Sequence, residues 1–107
     1  VSEGSQITVP ASFVAVHSNS RGRLTLPALE VAARYELCED LAQHLTEHCR
    51  GIHVEIGAET EEVLERCFRG LMQPDAGVSA DEATWVVTRL AELLNWPHPG
   101  LSAPEPG

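Results

Sequence analysis

One amphipathic stretch constrains this chain more than any other feature. Residues 27–50 open with Pro27 and run to Arg50 before Gly51, with no internal glycine or proline. At about 100° per residue, Val31, Tyr35, Cys38, Leu41, Ala42, Leu45 and Cys49 fall on one stripe, flanked by Leu37 and His48. Glu36, Glu39, Asp40, Gln43, Glu47 and Arg50 occupy the other side. That period predicts a long surface helix with one buried face. Pro27 belongs in its first turn, where a missing N–H costs nothing. Gly51 reads as its stop.

Two further helices follow from pattern and punctuation. Residues 59–73 begin with Glu59, Glu61 and Glu62, which suit a helix N-terminus, and end before Pro74. Val63, Leu64, Cys67, Phe68 and Leu71 share a face, while Glu62/Arg66 and Glu65/Arg69 are spaced as solvated i,i+4 pairs. Ser79-Ala-Asp-Glu82 matches a capping box ahead of the apolar set Ala83, Val86, Val87, Leu90, Leu93 and Leu94. Trp96-Pro97 ends that helix. Residues 10–16 fit a short helix or a strand, and the helix is preferred. Residues 18–22 have turn composition. Residues 52–56 alternate like a strand, but a lone strand leaves its backbone unpaired; an extended connector is the preferred reading.

The predicted fold is therefore all-α, a small bundle of about four helices around a single core. The runner-up is α+β, with residues 13–16 paired to 52–56. The predicted organisation is a flexible N-terminus over 1–8, a helical domain over 9–96 and a disordered Pro/Gly-rich tail over 97–107. Leu41 and Leu90 are expected in the core.

Charge narrows the partners. The formal net charge is −9 and the chain contains no lysine. An acidic surface repels nucleic acid and anionic membranes but allows a basic protein partner. A P-loop needs a lysine on the phosphates, so that route to nucleotide hydrolysis is closed. Neither a Gly-x-Ser-x-Gly elbow nor a dinucleotide fingerprint occurs. Cys38, Cys49 and Cys67 are odd in number and lie within amphipathic stretches, which predicts reduced, packed thiols and a cytoplasmic setting without cofactors.

Three constellations stand out. His44-Leu-Thr-Glu-His48 matches the inverted zincin pattern, in which two histidines hold zinc and Glu47 would activate water. No third ligand accompanies it, so catalysis is not expected. A simpler zinc site could draw on His44, His48, Cys49 and His53, the alternative to the preferred reading. Arg34 falls inside the apolar arc one turn after Glu30, which predicts an ion pair between them at the core edge. Trp85 and Trp96 lie about 20° apart on a helical wheel, on the side of Arg89 and away from the apolar stripe. With Glu82, Thr88 and Glu92 as a rim, they have the composition of an interface hot spot. Either a protein partner or a homodimer covers that face, or the N-terminal segment or another helix of the same chain does.

Residues 33–42 (Ala-Arg-Tyr-Glu-Leu-Cys-Glu-Asp-Leu-Ala), followed by Val63-Leu-Glu-Arg-Cys67 and by Trp85 with residues 89–94, resemble a family of small proteobacterial proteins. The likeness spans roughly residues 9–97. Members of that family are sometimes labelled an ATPase with chaperone activity. The resemblance implies an accessory protein near a chaperone system. The combined expectation is a non-enzymatic interaction or adaptor module.

Overall fold

The computed structural model describes residues 8–97, so the expected flexible ends lie outside the described residues apart from Thr8 and Pro97. Among the described residues, four α-helices make up the fold: α1 (Ala11–Val16), α2 (Ala28–Ile56), α3 (Thr60–Leu71) and α4 (Ala80–Leu94). The architecture is all-α. Among the described residues the only β-type pairing is an isolated bridge between Ser18 and Leu24, which closes the turn after α1.

The long helix is the frame. Its 29 residues at a 1.5 Å rise span about 44 Å, close to the molecule's longest dimension of 47 Å. Val31, Cys38, Ala42 and Cys49 are its buried residues, with Tyr35, Leu41, Leu45 and Ile52 packed part-buried beside them. The apolar stripe thus stands where the period placed it, with Leu41 half-buried and Leu90 fully buried.

Its far end differs from the expected one. Gly51 is helical, and α2 continues through residues 52–56, where a connector or strand was expected. Ile52 lies three residues beyond Cys49 and seven beyond Leu45, so it extends the buried stripe by another turn. Packing of that side chain offsets the roughly 1 kcal/mol cost of a mid-helix glycine. The real stop is Gly57, at φ 78°, in the left-handed conformation that glycine adopts without strain. His53 reinforces the stop, with Nδ1 placed 2.7 Å from the Ala58 carbonyl oxygen.

Pro27 sits at the N-cap of α2, one position earlier than expected. Pro10 does the same for α1. The capping box of α4 is complete: the Glu82 amide donates to Ser79 Oγ at 3.1 Å, and the Ser79 amide donates to Glu82 Oε1 at 2.9 Å. Asn95 ends α4 at φ 61°, so Trp96 leaves the helical register. Helix α4 is the hub: it packs on each of the other three.

Candidate functional site

The two tryptophans do not form one exposed face. Trp85 is only 9% exposed. Its ring meets Phe13 edge-on at 5.1 Å and Tyr35 at 5.8 Å, and Phe13 also contacts Tyr35 at 5.7 Å. Such edge-to-face arrangements are the favoured ones for aromatic quadrupoles. Trp85 Nε1 donates to Ser12 Oγ at 2.9 Å, which satisfies the indole. The helical wheel placed Trp85 off the main stripe of α4, and that is correct. What the wheel could not show is that α1 lies over that side and supplies Phe13 and Ser12. Trp96 is half-buried, with its ring 5.2 Å from the His53 imidazole at the other end of the molecule.

Arg89 is held by carboxylates. Its Nε donates to Glu39 Oε1 at 2.9 Å and its Nη2 to Glu39 Oε2 at 3.0 Å, a bidentate clamp of α4 onto α2. Nη1 also reaches Glu92 at 3.2 Å. The Arg89 hydrogen bonds hold the Glu39 carboxyl below its usual range, against the opposing pull of partial burial.

Arg34 has a different partner from the expected one. Glu30 is exposed and makes no ion pair with it; the carboxylate that receives Arg34 is Glu82 of α4. Glu82 was expected on a polar rim, yet it is 1% exposed and is the only buried charged residue among the described ones. Four donors fill its two oxygens. Oε1 accepts Arg34 Nη2 at 2.7 Å and the Ser79 amide at 2.9 Å. Oε2 accepts Arg34 Nε at 3.0 Å and His17 Nε2 at 2.7 Å. Burial would push this carboxyl up, but the bonds from Arg34, Ser79 and His17 outweigh it and bring it down to about 2. Arg34 Nη2 donates to the Gly77 carbonyl as well, at 2.7 Å, so one guanidinium ties α2 to α4 and to the loop before it. The spacing of a capping box did mark Glu82; it did not reveal that the same carboxylate serves three elements.

The zinc candidates diverge. His44 is exposed, with Nδ1 3.0 Å from the Asp40 carbonyl oxygen one turn back. His53 is engaged with Ala58 and Trp96. Cys49 is buried and faces Cys67. His48 is exposed and sits on the wall of a groove. Among the described residues no three His, Cys, Asp or Glu side chains are grouped to hold a metal ion. Glu47 is solvent-exposed on the outer side of α2.

That groove, between α2 and α3, is the feature sequence reasoning missed. It has a volume of about 360 Å³ and is lined by Leu45, Ile52 and Leu71 with Cys67, Gly70, His48 and Arg66. Gly70 leaves it open: a Cβ placed there would meet nothing within 4 Å. A second hollow of about 370 Å³ beside α1 carries Asp81, Thr84 and Thr88 on its wall and is correspondingly more polar. The groove depends on residues from two helices and on the extension of α2 past Gly51, so no single segment announces it.

Apolar side chains also stand out in solvent along α2: Leu29 is 86% exposed, Val54 77% and Ile56 67%. Among the described residues no helix is long and apolar enough to cross a membrane. Compared with protein-family models, curated proteins and solved structures, the chain matches none.

Proposed function

We propose that this chain is a small non-catalytic interaction module, an adaptor that receives an amphipathic helix of a protein partner in the α2–α3 groove. The groove carries the reading. Its volume of about 360 Å³ lies in the range of sites that bury a few apolar side chains. Leu45, Ile52 and Leu71 line it from two helices, the arrangement in which a partner helix lays an apolar stripe. The polar chemistry of the core points the same way. Glu82 is saturated by four donors and Arg89 is clamped by Glu39, so neither is free to act on a substrate. Charge selects the occupant. With a net charge of −9, a second copy is repelled, while a helix with basic flanks is attracted. Nucleic acid and anionic membranes are disfavoured for the same reason. The resemblance to chaperone-labelled proteins supports a cytoplasmic partner within a chaperone system.

Gly70→Leu tests this reading. Because the position is helical and open, a leucine there fills the groove and leaves the fold intact or slightly steadier. The full chain and the variant are used as bait in cell extract, with mass spectrometry of captured proteins and of bound metal. The expected result is a partner with a basic-flanked amphipathic helix, held by the native chain and lost with Gly70→Leu. A partner retained by Gly70→Leu overturns the groove as the docking site. Equimolar zinc lost on His48→Ala overturns the interaction reading in favour of a metal protein.

A further inference from the structure

The three cysteines are not equivalent. Cys38 is fully buried near the Glu82 node, where burial and then the Glu82 charge push its thiol up to about 12. It lies eleven residues from Cys49 on the same helix, about 16 Å along the axis, too far to bond it. Cys49 and Cys67 face each other from α2 and α3 with their Sγ atoms 3.2 Å apart. A disulfide needs about 2.05 Å, so closing the bond requires an approach of only about 1.2 Å. Cys49 is fully buried, whereas Cys67 is half-buried and lines the groove that opens to solvent. One sulfur of the pair is therefore reachable by a small oxidant and the other is held behind it.

We infer that Cys49 and Cys67 form a peroxide-oxidisable dithiol, a modification site whose oxidised form is an intramolecular disulfide stapling α2 to α3. The inference stands whether or not the groove receives a partner. The hydrogen bond from the Cys49 thiol holds Cys67 below the usual thiol range and raises Cys49, whose burial adds to the rise. Cys67 is the attacking thiolate because its sulfur is the one that the groove opens to solvent. Its sulfur displaces hydroxide from hydrogen peroxide: an S–O bond forms, the O–O bond breaks, and Cys67 becomes a sulfenic acid. The hydroxide takes up the proton that Cys67 released, giving water. Cys49 sulfur then attacks the sulfenic sulfur; the S–S bond forms, the S–O bond breaks, and the leaving hydroxide takes the Cys49 proton as a second water. Two thiols are oxidised and one peroxide is reduced. Cys38 is a spectator, which accounts for the odd count.

Hydrogen peroxide added to the reduced full chain tests this. The intact mass of the monomer should fall by two hydrogens, and one of the three thiols should remain titratable. Without lysine, trypsin cuts at arginine alone, so the bond should join peptide 35–50 to peptide 67–69. Fragmentation should place it at Cys49 and not at Cys38. The oxidised chain should melt higher, by on the order of 10 °C, and a dithiol reductant should reverse the shift. In Cys49→Ala, Cys67 should stop at the sulfenic acid and be trapped by a sulfenic-selective dione. A bond at Cys38, dimers joined through Cys67, or over-oxidation of Cys67 without a crosslink in the native chain would each overturn the inference.

Discussion

The two halves of α2 are held in different ways. On the N-terminal half, Arg34 and Tyr35 face a core in which, among the described residues, every buried side-chain polar atom has a partner and three aromatic rings lock edge to face. On the C-terminal half, Leu45, Cys49 and Ile52 face a shorter helix across an open groove, and the side-chain polar contact between the two helices is a pair of thiols. Bonds to a buried charge are directional and fail sharply when one member is removed. Apolar contacts at a groove wall give way gradually. The first half fixes the geometry of three helices; the second leaves room for something else to bind or react.

The largest effects belong to the first half. Glu82→Ala should cost about 2–4 kcal/mol in chemical denaturation, because half-buried Arg34 and His17 would lose their shared carboxylate and Ser79 its capping partner. Trp85→Ala should cost a similar 3–5 kcal/mol and disturb the isolated domain. A loss below about 1 kcal/mol at Trp85, with weakened association, would return that residue to an interface. A double-mutant cycle sharpens the same point: coupling of Arg34 should appear with Glu82 and vanish with Glu30.

Acid should act on the same half. The folded Glu82 carboxyl sits at about 2, below its ordinary value of 4.5. A depressed carboxyl contributes stability that is fully present above the unfolded value and is lost as pH falls through the folded one. Between pH 4.5 and pH 2 the chain should therefore lose about 3 kcal/mol from this group. Glu82→Gln should flatten that part of the profile; an unchanged acid limb would show that other carboxylates control it.

The second half should respond less. Ile52→Ala removes a half-buried side chain and should cost about 1–2 kcal/mol, with a larger effect on partner capture than on melting. A cost equal to that of Trp85→Ala would erase the contrast between the two halves.

The smallest expected effects test where α2 ends. Gly51→Ala should stabilise the protein by about 0.5–1 kcal/mol, since Gly51 is helical and a Cβ there meets nothing. Gly57→Ala should destabilise it by about 1–2 kcal/mol, since its φ of 78° strains any side chain. Reversed signs would put the stop back at Gly51.

Residues such as Val31, Cys38, Val86 and Leu90 were legible as core because helical period alone places them. The all-α class, the Ser79–Glu82 box and the turn after α1 were legible for the same local reasons: each depends on residues within a few positions of one another. What failed did so at a distance. Arg34 was matched to Glu30, one turn away, because a wheel sees only its own helix; the partner, Glu82, lies 48 residues on. Trp85 was left open between interface and core because nothing in its own segment covers it; Phe13 and Ser12 of α1 do. Gly51 looked like a stop because the tertiary packing of Ile52, which carries the helix past it, is invisible locally. The sequence by itself determined which faces are apolar and where backbone caps can form, since those are short-range matters of period and dihedral preference. Only the tertiary structure decided which charge meets which, which tryptophan is covered, and that two cysteines eighteen positions apart come within 3.2 Å. Those are set by how four helices cross, and crossing geometry is a property of surfaces in contact.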